Sequence, residues 1–371
     1  MRLSYWEKTT WFDHIDFTVI GSGIVGLSCA LQLKTRFPNA KVLVLERGVL
    51  PQGASTKNAG FACFGSLSEI LEDLKHHSEQ EVFNLVKLRY EGLKLLRETL
   101  GDSAIDYQCH GGHELFLNSQ QTLLDACLDG VYKVNQLLEP IFKSQVFHTT
   151  SNTFRFKNVL DTYLVTPFEG QIDTGKMMSS LLQKVISKGV FVLNSFEVED
   201  IIDLGNKVVI KTKDFEFFSL NVCITTNGFA SQFLEEDIKP ARAQVLITKP
   251  IENLPLKGTF HLDKGYYYFR NIHNRILFGG GRNLDFNAEQ TTAFGLTDLV
   301  QKHLEQLLKG VILPGIPFEI EQRWSGIMGI GSQKKVLVKP ISERVYCGVR
   351  LGGMGIAIGS MVGKQLADLL D

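Results

Sequence analysis

Residues 15–26 read IDFTVIGSGIVG, a short run of β-favouring residues that leads directly into a glycine-rich turn. The next residues, LSCALQLKTRF at 27–37, place apolar side chains at helical spacing, and KVLVLE at 41–46 is a second apolar strand. A strand, a helix and a strand in this order predict a parallel βαβ unit at the start of an α/β fold.

The glycines in this turn have the G-x-G-x-x-G spacing. The first permits a tight turn, the second lets the backbone approach a pyrophosphate, and the third lets the helix pack closely on the strand. The free N–H groups at the helix N terminus also favour a phosphate. We therefore expect a bound dinucleotide to contact Gly21, Ser22, Gly23, Ile24 and Gly26.

Glu46 ends the second strand 20 residues after Gly26. A carboxylate at this place can accept hydrogen bonds from both ribose hydroxyls of an adenosine, and it disfavours NADP by repelling a 2′-phosphate. We include its neighbour Arg47 in the same site. Loss of Glu46 is expected to weaken dinucleotide binding and to leave the stability of the ligand-free protein almost unchanged.

Composition excludes several classes of function. Length suggests about two domains, at roughly 150 residues each, and 39 Lys and Arg against 40 Asp and Glu provide no positive field for nucleic acid or an anionic membrane. The six cysteines have no metal-like spacing, and the N-terminal stretch lacks the apolar core of a signal peptide. We expect a cytoplasmic protein with no metal site and no nucleic-acid or membrane partner.

The βαβ pattern is interrupted and then resumes. Three long helical patterns occupy residues 67–141, after which a helix from about 174 and several strands follow. Residues 242–282 are strand-like and aromatic, a helix is expected at about 295–309, and the chain closes with a strand, a glycine turn and a helix. This order predicts two interleaved domains.

Two further segments carry a family resemblance: STKNAG at 55–60 and LGGMG at 351–355. With them go PARAQ at 240–244, YYFR at 267–270 and RWSG at 323–326. In this order, over residues 16–371, the chain resembles the family of D-amino-acid oxidase, glycine oxidase and sarcosine oxidase.

The resemblance implies a Rossmann-like FAD-binding domain interleaved with an α+β substrate domain on a mostly antiparallel sheet. The FAD domain would comprise residues 1–62, 161–238 and 323–371, and the substrate domain residues 63–160 and 239–322.

The resemblance also assigns FAD contacts. The loop at 55–60 would lie along the isoalloxazine, and the turn at 352–356 would direct a helix N terminus at the flavin, stabilising the negative charge of its reduced form. Beyond the first turn, the positions assigned to FAD are Ser55, Thr56, Lys57, Asn58, Ala59, Gly60, Val198, Asn227, Gly228, Gly326, Gly352, Gly353, Met354, Gly355 and Ile356. For Val198, Asn227 and Gly228, burial in or beside a strand is an equal alternative.

The family pattern breaks where an arginine should hold the substrate carboxylate, because Ile327 and Met328 follow Gly326. Lys57 and Arg323 are the preferred replacements, ahead of Arg270 and Arg350, and Tyr268 is expected in the cavity wall. We assign Lys57, Arg323 and Tyr268 as candidate catalytic residues, although an ion-pair role is an alternative for each charged group.

Two other departures concern the flavin. Leu277 replaces a lysine that assists oxygen in sarcosine-oxidase-like members, so oxidase activity is less strongly implied than flavin binding. Residues 321–340 contain no cysteine, which predicts non-covalent FAD.

The implied reaction is oxidation of an amine or amino acid by hydride transfer to flavin N5. It gives an imine and reduced flavin, which oxygen or another acceptor then oxidises. Oxidation of a 2-hydroxy acid and a non-catalytic flavin-binding role are the alternatives.

Overall fold

The computed structural model describes residues 3–370. The helices are α1 (Tyr5–Glu7), α2 (Ile24–Arg36), α3 (Leu67–His76), α4 (Glu79–Leu100), α5 (Gln121–Phe142), α6 (Thr174–Ser187), α7 (Asp298–Leu307) and α8 (Gly355–Asp368).

The strands through the first half of the chain are β1 (Ile15–Ile20), β2 (Val42–Leu45), β3 (Phe61–Ala62), β4 (Gly112–Leu115), β5 (His148–Ser151), β6 (Thr162–Thr166), β7 (Gly170–Gln171), β8 (Phe191–Leu193) and β9 (Val198–Asp203). Those that follow are β10 (Val208–Thr212), β11 (Glu216–Ile224), β12 (Lys239–Thr248), β13 (Thr259–Leu262), β14 (Tyr267–Ile272), β15 (Arg275–Gly280), β16 (Ile320–Ile330), β17 (Leu337–Pro340) and β18 (Val345–Val349).

The first sheet has the order β17-β18-β11-β1-β2-β8; β10 also pairs with β11, and β9 pairs with β10. Its central strands β1, β2 and β11 are parallel, as are the pairs β2–β8 and β11–β18. Val19, Val42 and Val44 pack with Leu27 and Leu33 of α2 in a fully buried core. The βαβ opening and the Rossmann-like class are confirmed.

The second sheet has the order β16-β12-β15-β14-β13-β4-β6-β5. All its neighbours are antiparallel except β4 and β13. The mostly antiparallel substrate sheet is therefore confirmed, and Phe260, Phe269 and Phe278 fill the core on one of its faces.

Sheet membership departs from the predicted domain boundaries at two places. Strand β6 lies in the second sheet, although residues from 161 onward were assigned to the FAD domain. Strand β16 also lies there, because it pairs with β12 along its length from Ile320 to Ile330, so the chain returns to the first sheet only after residue 330.

The helical insertion is attached to the last helix of the chain. A Cβ at Gly92 in α4 would lie 2.3 Å from the carbonyl oxygen of Ala357, so glycine is what allows α4 and α8 to approach so closely. Within residues 3–370, none of the helices combines the length and apolar character needed to cross a bilayer.

Candidate active site

One large cavity, of about 680 Å³, lies between the two sheets. Both glycine turns border it, as do the loop at 55–60 and Tyr268 of β14. The volume falls within the range of about 300–1,000 Å³ that is usual for ligand pockets. The structure therefore brings together segments that are more than 300 residues apart in the chain.

The first glycine turn has the geometry that its spacing predicts. Gly21 has φ of +104°, and a Cβ at Gly26 would lie 1.9 Å from the Gly21 carbonyl oxygen. Gly21, Gly23 and Ile24 border the cavity, whereas Gly26 and the fully buried Ser22 lie behind it. Gly26 thus serves close packing, and only part of the turn is open to a pyrophosphate.

Glu46 borders the cavity but is already hydrogen bonded. Its carboxylate accepts from the Ser22 hydroxyl and amide, at 2.8 and 3.2 Å, and from the Gly48 amide at 3.0 Å. Because the side chain is 6% exposed, these bonds order the turn before any ligand arrives.

The loop at 55–60 is held by Asn58, whose side-chain oxygen accepts from the Gly60 amide at 2.8 Å and from the Thr174 hydroxyl at 2.9 Å. The Ser55 hydroxyl accepts from the Ile24 amide at 3.0 Å and so joins this loop to the first turn. Every residue from Ser55 to Gly60 borders the cavity except Thr56. The Thr56 hydroxyl instead donates to the Pro51 carbonyl at 2.6 Å on the exposed side.

The turn before α8 is organised by Asn227. Its side-chain oxygen accepts from the amides of Arg350 and Leu351, at 3.0 and 3.2 Å. All five predicted positions from 352 to 356 border the cavity, as does Asn227. Gly228 does not, because it packs against the Met328 carbonyl.

The part of the cavity beside Glu46 is lined by Arg47 and Val198. The Arg47 guanidinium lies 3.9 Å from the centre of the Phe229 ring. This combination of a partly exposed aromatic ring, a cation and a carboxylate suits an adenosine.

Lys57 and Tyr268 both border the cavity, as predicted. The Lys57 ammonium lies 5.3 Å from the centre of the Phe294 ring. Tyr268 packs over Gly279, where a Cβ would lie 2.7 Å from its ring. Burial raises the pKa of Tyr268 to about 12, so its phenol is neutral at physiological pH.

Arg323, by contrast, lies outside the cavity. It donates to the side chains of Gln301 and Glu305, at 2.7 and 2.8 Å, on α7. Alternation along β16 explains this placement, since Gly326 and Met328 border the cavity while Arg323 and Ser325 point to the opposite face. Arg323 therefore has an ion-pair role, which was the alternative to substrate binding, and it is no longer a substrate-binding candidate.

The other two arginines considered also have structural partners. Arg270 donates to the carbonyl oxygens of Ala59 and Ile172, and burial lowers its pKa to about 10. Arg350 donates to the carbonyl oxygens of Lys335 and Asp237.

Sequence reasoning missed Arg282, which borders the cavity beside Tyr266 and Tyr268. Gly280 and Gly281, at φ of +126° and +79°, turn the chain sharply after β15 and bring Arg282 there. Its guanidinium lies 4.8 Å from the centre of the Phe286 ring, and it has no ion pair among residues 3–370. The FGGG run at 278–281 was the signal for this turn.

A buried acid–imidazole pair was also missed. His261 Nε2 lies 2.9 Å from Glu169 Oε2, which also accepts from the Thr259 hydroxyl at 3.0 Å. Burial opposes protonation of His261, but the carboxylates of Glu169, Glu69 and Glu114 outweigh it and raise the pKa of His261 to about 9. His261 stands opposite Tyr268 in the sheet and borders the cavity, so the wall carries a fixed imidazolium.

These features fit FAD. The open part of the first turn suits the pyrophosphate, and Glu46 suits the ribose. The cavity continues past the 55–60 loop to Tyr268 on the second sheet and Tyr266 beside it. A Rossmann-like domain with this second glycine turn and an antiparallel substrate sheet defines a two-domain flavin-dependent oxidoreductase.

The family model described as DAO, FAD dependent oxidoreductase, matches residues 16–369. The chain therefore belongs to the DAO family of FAD-dependent oxidoreductases, and its cofactor is FAD.

Similar proteins agree with this assignment. The chain is 23% identical to the probable oxidoreductase OrdL of Haemophilus influenzae, over 97% of this chain and 84% of that protein. Its fold matches glycine oxidase from Geobacillus kaustophilus with a TM-score of 0.76 and 19% identity, covering 95% and 94% of the two chains. Iminodiacetate oxidase from Chelativorans sp. BNC1 matches with a TM-score of 0.74 and 18% identity, covering 95% and 94%.

Proposed function

We propose that the protein oxidises an amine or amino acid by hydride transfer from the carbon beside the nitrogen to N5 of FAD, giving an imine. The observation that carries this proposal is the single cavity that runs from the first glycine turn to the wall formed by Tyr268 and Arg282. When bound, FAD supplies the hydride acceptor. Iminodiacetate oxidase and glycine oxidase, which share the fold, act on amines of this kind.

The chain's own residues would orient the amine and exclude water. The rings of Phe61 and Tyr268 meet edge to face at 5.5 Å, and Phe61 meets His261 in the same way at 5.3 Å. Burial against these rings disfavours the charged ammonium form of the amine, and the positive charge on His261 repels it. The uncharged amine is the form that can lose a hydride, so positioning does most of the work.

We propose that a carboxylate on the substrate is held by Arg282 and not at the family's usual place. Ile327 is 1% exposed and Met328 is a thioether, so no charged group stands at that position. A small zwitterion such as glycine leaves its carboxylate unpaired unless it reaches Arg282. An unpaired buried carboxylate costs several kcal/mol. Secondary or long-chain amines should therefore be better substrates than glycine.

We also propose that oxygen reoxidises the reduced flavin slowly. Leu277 packs with Ala59 and Val245 in an apolar cluster, where the resemblance would place a lysine. Reduced flavin should be reoxidised faster by an artificial acceptor than by oxygen.

We also propose a cytoplasmic location. Among residues 3–370, which include all six cysteines, no disulfide is formed and five of the thiols are buried. Unpaired thiols are usual in a reducing compartment.

Anaerobic mixing of the FAD-loaded protein with a substrate panel tests the proposed reaction. The panel contains N-methyl amines, long-chain amines, glycine, D-alanine and 2-hydroxy acids, and the readout is loss of the flavin's visible absorbance. We expect bleaching by secondary or long-chain amines. Bleaching by hydroxy acids alone would instead support oxidation of a 2-hydroxy acid. A flavin that dithionite reduces but no substrate bleaches would support a non-catalytic role.

A further inference from the structure

His261 stands next to Tyr268 on the cavity side of the second sheet. The two residues pair in register between β13 and β14, and Tyr268 pairs in turn with Gly279 on β15. Paired residues point to the same face of a sheet. Because Gly279 has no side chain, the Tyr268 ring lies over it, and both Tyr268 and His261 border the cavity.

The two ring nitrogens of His261 have different surroundings. Nε2 lies 2.9 Å from Oε2 of Glu169, which is 1% exposed and is not part of the described cavity wall. Nδ1 makes no hydrogen bond within residues 3–370, and it is not one of the polar atoms that are sealed from solvent there. Since the ring borders the cavity, Nδ1 is the donor that remains for a ligand.

The carboxylates around His261 keep its ring charged. Burial disfavours the charged form, but Glu169, Glu69 and Glu114 outweigh this effect and raise the pKa of His261 to about 9. A hydrogen bond from a charged donor is stronger with a carboxylate than with a neutral acceptor. The titratable groups around the imidazole come from five places: Cys63 after β3, Glu69 on α3, His113 and Glu114 on β4, Glu169 after β6, and Tyr268 on β14.

A second cation borders the same cavity from the other side of β14. In the sheet, β14 lies between β13, which carries His261, and β15, after which the chain reaches Arg282. Neighbouring strands are about 4.8 Å apart, so β13 and β15 are separated by roughly 10 Å. Among residues 3–370, Arg282 has no ion pair, and the cavity therefore offers two cationic donors with the Tyr268 ring between their strands.

We propose that the substrate is an amine with two carboxylates, one held by Arg282 and the other by Nδ1 of His261. The inference rests on the proposed amine oxidation at this site and names the class of substrate. The Tyr268 ring supports the carbon chain that joins the two carboxylates. Glu169 is a positioning residue, because it orients the imidazole and maintains its charge. An amine with one carboxylate leaves one of the two donors without an acceptor and should bind more weakly.

The alternative is that the His261–Glu169 pair only stabilises the wall. Glu169→Gln separates the two roles, because glutamine has nearly the same shape and still accepts a hydrogen bond from Nε2. Loss of a negative charge beside the cavity would by itself strengthen the binding of an anion. The proposal predicts the opposite, because His261 loses its proton more readily without this carboxylate. His113→Gln is the matched control, since His113 stacks on Phe260 and is not part of the described cavity wall.

The experiment measures the dissociation constants of unreactive dicarboxylates for the FAD-loaded proteins, from the change in flavin absorbance. Succinate, glutarate and adipate are compared with their monoamides, which keep the length but lose one charge. At pH 7 we expect His261→Gln to weaken the tightest dicarboxylate about tenfold or more and to leave its monoamide within about twofold. Glu169→Gln should also weaken the dicarboxylate, and His113→Gln should match the wild type.

The pH dependence gives a second readout. In the wild type, dicarboxylate affinity should fall as pH rises through about 9, where His261 loses its proton. In Glu169→Gln the fall should lie at lower pH, because the carboxylate that raises the pKa of His261 is gone. A purely structural role of the pair would leave the two profiles alike.

Unchanged dicarboxylate binding in His261→Gln would overturn the proposal, as would tighter binding in Glu169→Gln. Equal weakening of a dicarboxylate and its monoamide would also overturn it, because His261 would then not distinguish a second carboxylate. If His261→Gln takes up no FAD, the wild type decides: dicarboxylates that bind no more tightly than their monoamides refute the second carboxylate site. None of these ligands is oxidised, so failure of the proposed amine oxidation would be seen separately.

Discussion

The Glu46 carboxylate accepts two hydrogen bonds from Ser22, from its hydroxyl at 2.8 Å and its amide at 3.2 Å. These bonds revise the expectation that Glu46 contributes to FAD binding but not to the stability of the FAD-free protein. We predict that Glu46→Ala weakens FAD binding and also destabilises the FAD-free protein, by roughly 1.5–3 kcal/mol for lost bonds to a charged group. Chemical denaturation of both forms checks this; unchanged stability without FAD would restore the purely ligand-binding role.

Gly26 is required for the first turn to pack. A Cβ there would lie 1.9 Å from the Gly21 carbonyl oxygen, so Gly26→Ala forces the helix and strand apart. We predict a loss of roughly 1–3 kcal/mol, as for other overpacked sites, together with weaker FAD binding. Gly310→Ala is the control, since nothing lies within 4 Å of its added Cβ. Equal effects of the two changes would contradict the close-packing role.

Non-covalent FAD is expected, because Cys63, the one cysteine on the described cavity wall, is buried beside Met354. Burial raises the pKa of the Cys63 thiol well above its usual value, which keeps it protonated and unreactive. Acid precipitation of the yellow protein should release all of the flavin into the supernatant. Colour that stays in the pellet would show a covalent bond.

Arg282 and Arg323 should differ in their effect on substrate binding. We predict that Arg282→Gln raises KM for a carboxylate-bearing amine about tenfold to a hundredfold, as for loss of a charge-assisted hydrogen bond. It should leave the matched primary amide unaffected. Arg323→Gln should leave KM unchanged for both the carboxylate and the amide. It should only lower the stability of the fold, because Arg323 pairs with Glu305. Steady-state kinetics on the two compounds decides; equal effects of the two variants would contradict the assignment to Arg282.

The His261–Glu169 pair should make stability depend on pH. The pKa of His261 rises from about 6.5 in the unfolded chain to about 9 in the fold, so its contribution is complete below the lower value and is lost as pH rises through the higher one. The difference in melting temperature between wild type and His261→Gln should therefore shrink from pH 6 to pH 10. A difference that grows with pH would show that the buried histidine is neutral.

Local features of the sequence were enough for the fold and for most of the FAD site. The glycine turn at 21–26 and the alternation of strands and helices depend on residues that are close in the chain, so their spacing carries the geometry. Of the positions assigned to FAD, Ser22, Gly26, Thr56 and Gly228 do not border the cavity. These four residues shape the turns behind the cavity wall. A sequence motif includes residues with this role and residues that contact the ligand, and it does not separate the two.

Tertiary structure determines which polar side chains border the substrate part of the cavity. One step of strand alternation sends Arg323 to α7, whereas two left-handed glycines bring Arg282 to the cavity. Glu169 and His261 lie 92 residues apart and meet only because β13 runs beside the segment that follows β6. A local pattern specifies the path of the backbone, but the partner of a buried charge is chosen by whatever distant segment packs against it.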